Sequence, residues 1–209
     1  MRSTLVYLRA ATSWGLLAGS VATMVGLLMV VARWPNALWP LHGGVIGIVA
    51  GMSAWAVDER CAAVVDVTSR PLWWRSTVRA VPPVVLAVTW LSIHVVIRDD
   101  LPDHLRLFVL QGIAASVLGF AIGCRLRQQG RAEPGHRFAG VASPLILGIA
   151  LARPADEHAP LFPIWPHEDW ARSRAIWVTL AFVGVAVLVR TFWIDSRAAS
   201  RDPAARCLA

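Results

Sequence analysis

Two neighbouring stretches of this chain lack any ionised side chain. The first covers residues 10–32 and the second covers residues 34–57, with only Arg33 between them. Each stretch is long enough to cross the ~30 Å hydrocarbon core of a bilayer, which takes about 20 helical residues. Lipid offers no hydrogen-bond partner to an open backbone, so the crossing segments must be helices. The sequence therefore predicts an all-α membrane protein.

Further apolar runs extend this pattern along the whole chain. Charged residues make up 16% of the 209 residues, whereas a soluble domain has about a quarter. We predict a single transmembrane domain over residues 1–209, a polytopic membrane helix bundle with about six transmembrane helices. The predicted spans are residues 13–32, 41–57, 80–97, 105–124, 138–152 and 175–189.

The arginine distribution predicts how these spans are oriented. If the N-terminus lies inside the cell, the inner segments hold 14 arginines and the outer segments hold 6. Short loops rich in basic residues stay in the cytoplasm, so we predict an N-in/C-in arrangement. The lack of lysine indicates a GC-rich, bacterial genome, and the plasma membrane is the expected location of this multi-pass chain. Because the arginines lie in short loops between spans, the net charge of +7 does not indicate nucleic acid binding.

The sequence carries little catalytic chemistry. Without lysine there can be no phosphate-binding loop of the GxxxxGK[ST] type, and HExxH and GxSxG motifs are absent. Acidic residues are missing from the span centres, which disfavours a proton relay. The three cysteines have no metal-ligand spacing. We therefore predict a chain that is not itself an enzyme and has no metal site.

Two histidines suggest an alternative function. His42 and His94 lie at matching depth in different predicted spans, near their outer ends. Two such imidazoles can ligate a haem iron. The alternatives are therefore a haem-binding or accessory membrane protein, or a structural subunit of a membrane complex, without transport activity. Histidines in these positions are more often interfacial residues that face water or a neighbouring helix.

The inner loop between the second and third spans is longer than a simple turn requires. Residues 58–79 read DERCAAVVDVTSRPLWWRSTVR. Pro71 suits the first turn of a short helix, and the tryptophans after it suit the headgroup level. One interpretation is an ordinary arginine-rich loop with an aromatic belt. The other is an elbow that docks on a cytoplasmic partner.

This loop resembles a segment of the membrane subunits of actinobacterial ABC-2-type transporters. The resemblance implies the ABC-2 permease fold, with six spans and both ends inside. It also implies that residues 58–79 form a coupling helix for a separate ATPase, and that residues 153–174 form an outer loop with re-entrant helices. The residues that carry the resemblance are Asp58-Glu59, Ala62-Ala63, Asp66 and Arg70-Pro71-Leu72-Trp73-Trp74-Arg75.

The same resemblance implies a function and partners. The chain would be the permease subunit of an ATP-driven exporter and would form half of a translocation path. It would pair in the lipid bilayer with a second permease copy or a related permease, and an ABC ATPase subunit would bind ATP and Mg. No cofactor is expected on this chain. The implied ATPase-docking residues are Asp58, Glu59, Asp66, Arg70 and Arg75, and the implied interfacial anchors are Trp73 and Trp74.

Overall fold

The computed structural model describes residues 2–58, 72–98, 104–153, 159–163 and 169–201. Every regular element in these ranges is an α-helix, which confirms the predicted all-α class. The helices are α1 (Arg2–Ala11), α2 (Trp14–Arg33), α3 (Pro35–Trp55), α4 (Leu72–Val78), α5 (Val81–Val96), α6 (Leu105–Gln128), α7 (Pro134–Ala152) and α8 (Trp170–Arg201).

Five helical segments in the described part of the chain are long and apolar enough to cross a membrane. This finding confirms the prediction of membrane-spanning apolar helices. The remaining predicted span, residues 41–57, coincides with most of α3, which has 21 residues. A total of six crossings stays a prediction. The five segments are Trp14–Arg33, Leu72–Val96, Leu105–Gln128, Pro134–Ala152 and Trp170–Arg197.

A turn at Arg79 and Ala80 separates α4 from α5. Pro82 and Pro83 follow this turn and lie in the first turn of α5. Proline is tolerated there because the first N–H groups of a helix have no intrahelical acceptor. The two prolines thus begin a membrane helix rather than kink it, and they leave α4 as a separate short element.

Helix α3 lies at the centre of the bundle, packed against α2, α5, α6 and α7. One of its faces carries glycines at spacings of three and four residues, and this face lies against α7. A Cβ atom at Gly47 would lie 2.9 Å from the Cα of Ser143, and one at Gly51 would lie 3.0 Å from the Cβ of Ala139. Small residues let membrane helices approach closely, so this face is used for packing within the chain.

Helix α6 approaches α3 in the same way. Gly119 lies against the backbone of Ala50, and Gly123 lies against that of Ala54. Helix α8 in turn packs along α6 and touches α4. Three helices, α3, α6 and α7, therefore form a tightly packed centre.

Replacing Gly119 by alanine tests this packing. The added Cβ would overlap the carbonyl group of Ala50, so the free energy of unfolding should fall by about 1–3 kcal/mol. The matched control is Gly148→Ala in α7, where a Cβ meets nothing within 4 Å. Thermal unfolding in detergent measures both variants. Equal melting temperatures for the two would contradict the described contact between α3 and α6.

Candidate functional site

Several helix ends meet around the two ends of the segment 59–71. We call this group of contacts the inner junction and define it by Tyr7, Asp58, Trp73, Arg79 and Asp195. It lies at the end of the bundle that the arginine distribution assigns to the cytoplasm. Its contacts join α1, α3, α4, α7 and α8.

Asp58 caps the N-terminus of α7 from another part of the chain. Its Oδ1 accepts a hydrogen bond from the Gly135 N–H, and its Oδ2 accepts one from the His136 N–H, each at 2.7 Å. These N–H groups have no acceptor within their own helix, and Glu133, the residue before α7, makes no capping bond. Burial raises the pKa of the Asp58 carboxyl above its ordinary value, although the two N–H groups act in the opposite direction.

Arg79 binds carbonyl groups at the C-terminal end of a helix. Its side chain is buried, and its Nη1 donates to the carbonyl oxygens of Ala56 and Asp58 after the end of α3. Its Nε donates to the hydroxyl of Tyr7 at 3.2 Å, and the guanidinium carbon lies 5.7 Å from the centre of the Tyr7 ring. The helix dipole favours a cation at the carbonyl end of a helix. Through its bonds to Ala56 and Tyr7, Arg79 connects the end of α3 to α1.

Helix α4 is fixed at its start by a residue distant in sequence. The Trp73 N–H donates to Oδ2 of Asp195 in α8 at 2.8 Å. The Trp74 ring lies 5.6 Å from that of Tyr7, measured between centroids. The Trp73 side chain itself is exposed. The short helix is thus held against α8 and α1.

The structure describes two of the five implied docking residues, Asp58 and Arg75. Glu59, Asp66 and Arg70 lie outside the described residues. Asp58 is half-buried and uses its carboxylate to cap α7, and Arg75 is buried. Both therefore take part in contacts within the bundle.

Sequence reasoning did not identify Tyr7 or Asp195 as members of this site. Asp195 carries a signal, because it is the single acidic residue between residues 175 and 201, a stretch that contains three arginines. Tyr7 is the single tyrosine of the chain. Neither feature by itself indicates a partner, because both partners come from other helices.

The two candidate haem ligands do meet, in the core of the bundle. Their ring centroids lie 5.7 Å apart, and both side chains are fully buried, so neither His42 nor His94 is an interfacial histidine facing water. The Trp90 ring lies 5.3 Å from that of His42 and 4.3 Å from that of His94. The Phe108 ring lies 5.5 Å from that of His42.

This cluster does not fit a haem. The rings of Trp90 and Phe108 fill the space beside the two imidazoles, where a porphyrin would have to lie. Hydrogen bonds fix the rings of Trp90 and His94: Trp90 Nε1 donates to the Phe108 carbonyl at 2.8 Å, and His94 Nδ1 donates to the Trp90 carbonyl at 2.9 Å. Among the described residues, no group of three His, Cys, Asp or Glu side chains could hold a metal ion.

The described part of the outer loop lies within the bundle. The Leu161 carbonyl accepts hydrogen bonds from Gln111 Nε2, Ser173 Oγ and Trp177 Nε1, at 3.2, 3.2 and 3.0 Å. Phe162 is buried. Residues 159–163 are not helical, so the re-entrant helices implied for residues 153–174 stay a prediction for the rest of that loop.

No protein-family model, curated protein or solved structure matches this chain. In the inner junction, an arginine and two acids hold helix ends together through hydrogen bonds. These hydrogen bonds join α1, α3, α4, α7 and α8 at one end of the bundle.

Replacing Asp58 by alanine removes both capping hydrogen bonds of α7. The free energy of unfolding should fall by about 1–2 kcal/mol, as for other capping residues. The control is Arg172→Ala, which removes an exposed ion pair with Asp169 at 3.8 Å and should change stability by less than about 0.5 kcal/mol. Chemical or thermal unfolding in detergent compares them, and an equal loss in both would refute the capping role.

The raised pKa of Asp58 also predicts a dependence of stability on pH. The folded state binds the proton of this carboxyl more tightly than the unfolded state, whose pKa is near 3.8. The stability that this group contributes therefore falls as pH rises from 3.8 through the raised folded pKa. Asp58→Asn should lack this component. Melting temperatures measured from about pH 4 to pH 7 test it, and parallel curves for both proteins would contradict it.

Proposed function

We propose that this chain is the permease subunit of an ATP-driven exporter, in which residues 58–79 connect a cytoplasmic ATPase to the membrane helices. One observation supports this proposal above the others. The described residues on either side of the segment 59–71 are held in place, Asp58 on the N-terminus of α7 and Trp73 on Asp195 of α8.

Because of these hydrogen bonds, a movement of the segment 59–71 would reach two particular helices, α7 and α8. A partner that moves the segment 59–71 pulls on α7 through Asp58 and on α8 through Asp195. Arg79 adds the end of α3 and, through Tyr7, helix α1. Because protein interiors are close-packed, they pass on such a shift rather than absorb it.

The tightly packed centre decides which helices move together. Glycines bring α6 and α7 into backbone contact with α3, so these three helices respond as one body. The proposed coupling thus moves a block of helices against the rest of the bundle and against a second permease copy. This movement would open the translocation path alternately to the two sides of the membrane.

The proposed partner supplies the chemistry that this chain lacks. A chain without lysine has no phosphate-binding loop of its own, so ATP and Mg bind to the ATPase. Glu59, Asp66 and Arg70 provide charged groups for its docking surface. Trp73 follows Arg70 by three residues, and its side chain is exposed. This indole fixes the depth of residues 58–79 at the headgroup level.

Site-specific cross-linking identifies the partner directly. A photo-reactive amino acid at position 66 should cross-link, in native membranes, to a protein that contains a phosphate-binding loop. The same amino acid at position 98, at the opposite end of α5, is the control and should give no such product. If position 66 captures only proteins without a nucleotide-binding motif, the chain is not a permease of this kind.

Charge reversal tests the docking surface. Changing Glu59 and Asp66 together to arginine should reduce the amount of ATPase that co-purifies by about tenfold, the effect of losing one or two well-placed charge contacts. The matched control reverses Glu168 and Asp169, two acids of the predicted outer loop. Unchanged co-purification and unchanged export by the inner variant would exclude these two residues from the docking surface.

A further inference from the structure

A groove that opens toward the membrane runs between α2 and α7, and α3 forms its floor. Its central cavity measures 330 Å³ and is lined by residues of all three helices. A second cavity of 260 Å³ continues it to the inner end of the bundle and shares Leu16 and Trp55 with the first. Sites for small ligands typically measure about 300–1,000 Å³, so the groove has the size of a binding site.

The central part of the groove offers a hydrocarbon surface. Three hydroxyl residues line it, Ser20, Thr23 and Ser143. Two of them bind backbone carbonyls of the protein: Thr23 Oγ1 donates to the Gly19 carbonyl at 2.9 Å, and Ser143 Oγ donates to the Gly47 carbonyl at 3.0 Å. A Cβ at Gly15 or Gly19 would meet nothing within 4 Å, so glycines keep this wall open. From Gly15 to Thr23 the groove follows α2 for about 12 Å, which suits part of an acyl chain.

The inner mouth of the groove has a different chemistry. Asp58, Glu133 and His136 line it. The N–H groups of Gly135 and His136, which would attract an anion, already donate to Asp58. The mouth therefore presents two carboxylates, on a side of the protein where arginines predominate. Burial of Asp58 raises its pKa, so a bound cation would stabilise its ionised form.

We propose that this groove binds one membrane lipid whose headgroup carries a primary ammonium group. One acyl chain lies against α3 between Gly19 and Ser143, and the ammonium donates to Asp58 and Glu133. Charge-assisted hydrogen bonds of this kind are stronger than neutral ones. An anionic headgroup would face the two carboxylates and is disfavoured. This lipid site is independent of the exporter proposal, because it requires no ATPase.

Filling the groove tests the acyl-chain position. The protein is purified from vesicles that contain equal amounts of phosphatidylethanolamine and phosphatidylglycerol with identical chains, and the retained lipids are measured by native mass spectrometry. Gly19→Leu should abolish the retained lipid. The control, Gly26→Leu, changes a glycine of the same helix that is equally open but does not line the groove, and it should retain the lipid. Equal melting temperatures of the two variants establish that both are folded.

The headgroup preference is tested on the same mixture. The unmodified protein should retain phosphatidylethanolamine about tenfold over phosphatidylglycerol, the factor that one charge-assisted hydrogen bond supplies. Glu133→Gln should lower this preference, and Asp169→Asn, on the opposite side, should not. Equal retention by Gly19→Leu and Gly26→Leu, or a preference for phosphatidylglycerol, overturns the proposal. The proposal is also overturned if the purified protein retains no lipid and a second copy of the chain cross-links across the groove in the unmodified protein but not in Gly19→Leu.

Discussion

Close backbone approach between α3 and its neighbours is the constraint on which the rest of the structure depends. Lipid chains are as apolar as leucine, so helices in a bilayer associate mainly through tight packing and hydrogen bonds. Gly135 lies directly against Ala54 and Trp55, where any side chain would overlap the backbone. Because this position is a glycine, α7 begins beside the end of α3, and its first N–H groups come within hydrogen-bond distance of Asp58. Packing in the membrane thus creates the polar contact at its edge.

The inner junction follows one electrostatic rule at three helix ends. Asp58 lies at the N-terminus of α7, Asp195 lies at the N-terminus of α4, and Arg79 lies at the carbonyl end of α3. Each charge has the sign that the helix dipole favours at that end, and each satisfies backbone groups that no intrahelical bond can reach. Hydrogen bonds in partly buried surroundings are strong and costly to leave unmade. This explains how α4, which has only seven residues, keeps a defined position.

The sequence predicted the membrane helices well and their contacts poorly, for physical reasons. Uncharged length is a local property, so the predicted span 13–32 is close to α2 (Trp14–Arg33) and the predicted span 105–124 lies within α6 (Leu105–Gln128). The last span, 175–189, is much shorter than α8 (Trp170–Arg201), because a helix continues into water after its apolar part has ended. The contact between Trp73 and Asp195 joins residues 122 positions apart, and nothing in either local pattern indicates the other. His42 and His94 lie near the outer ends of two predicted spans, so the sequence predicts the same depth for both. Only the packing of α3 on α5 brings their rings together.

Asp58 belongs both to the inner junction and to the mouth of the proposed lipid groove. Its carboxylate is the acceptor that holds the start of α7, yet burial disfavours its charge. An ammonium group in the mouth would lower that cost and strengthen both hydrogen bonds to α7, because the ionised form is the better acceptor. Removal of the lipid would weaken the same bonds. A lipid in the groove and a partner on the segment 59–71 would therefore act on one residue, and by linkage each would alter the affinity for the other.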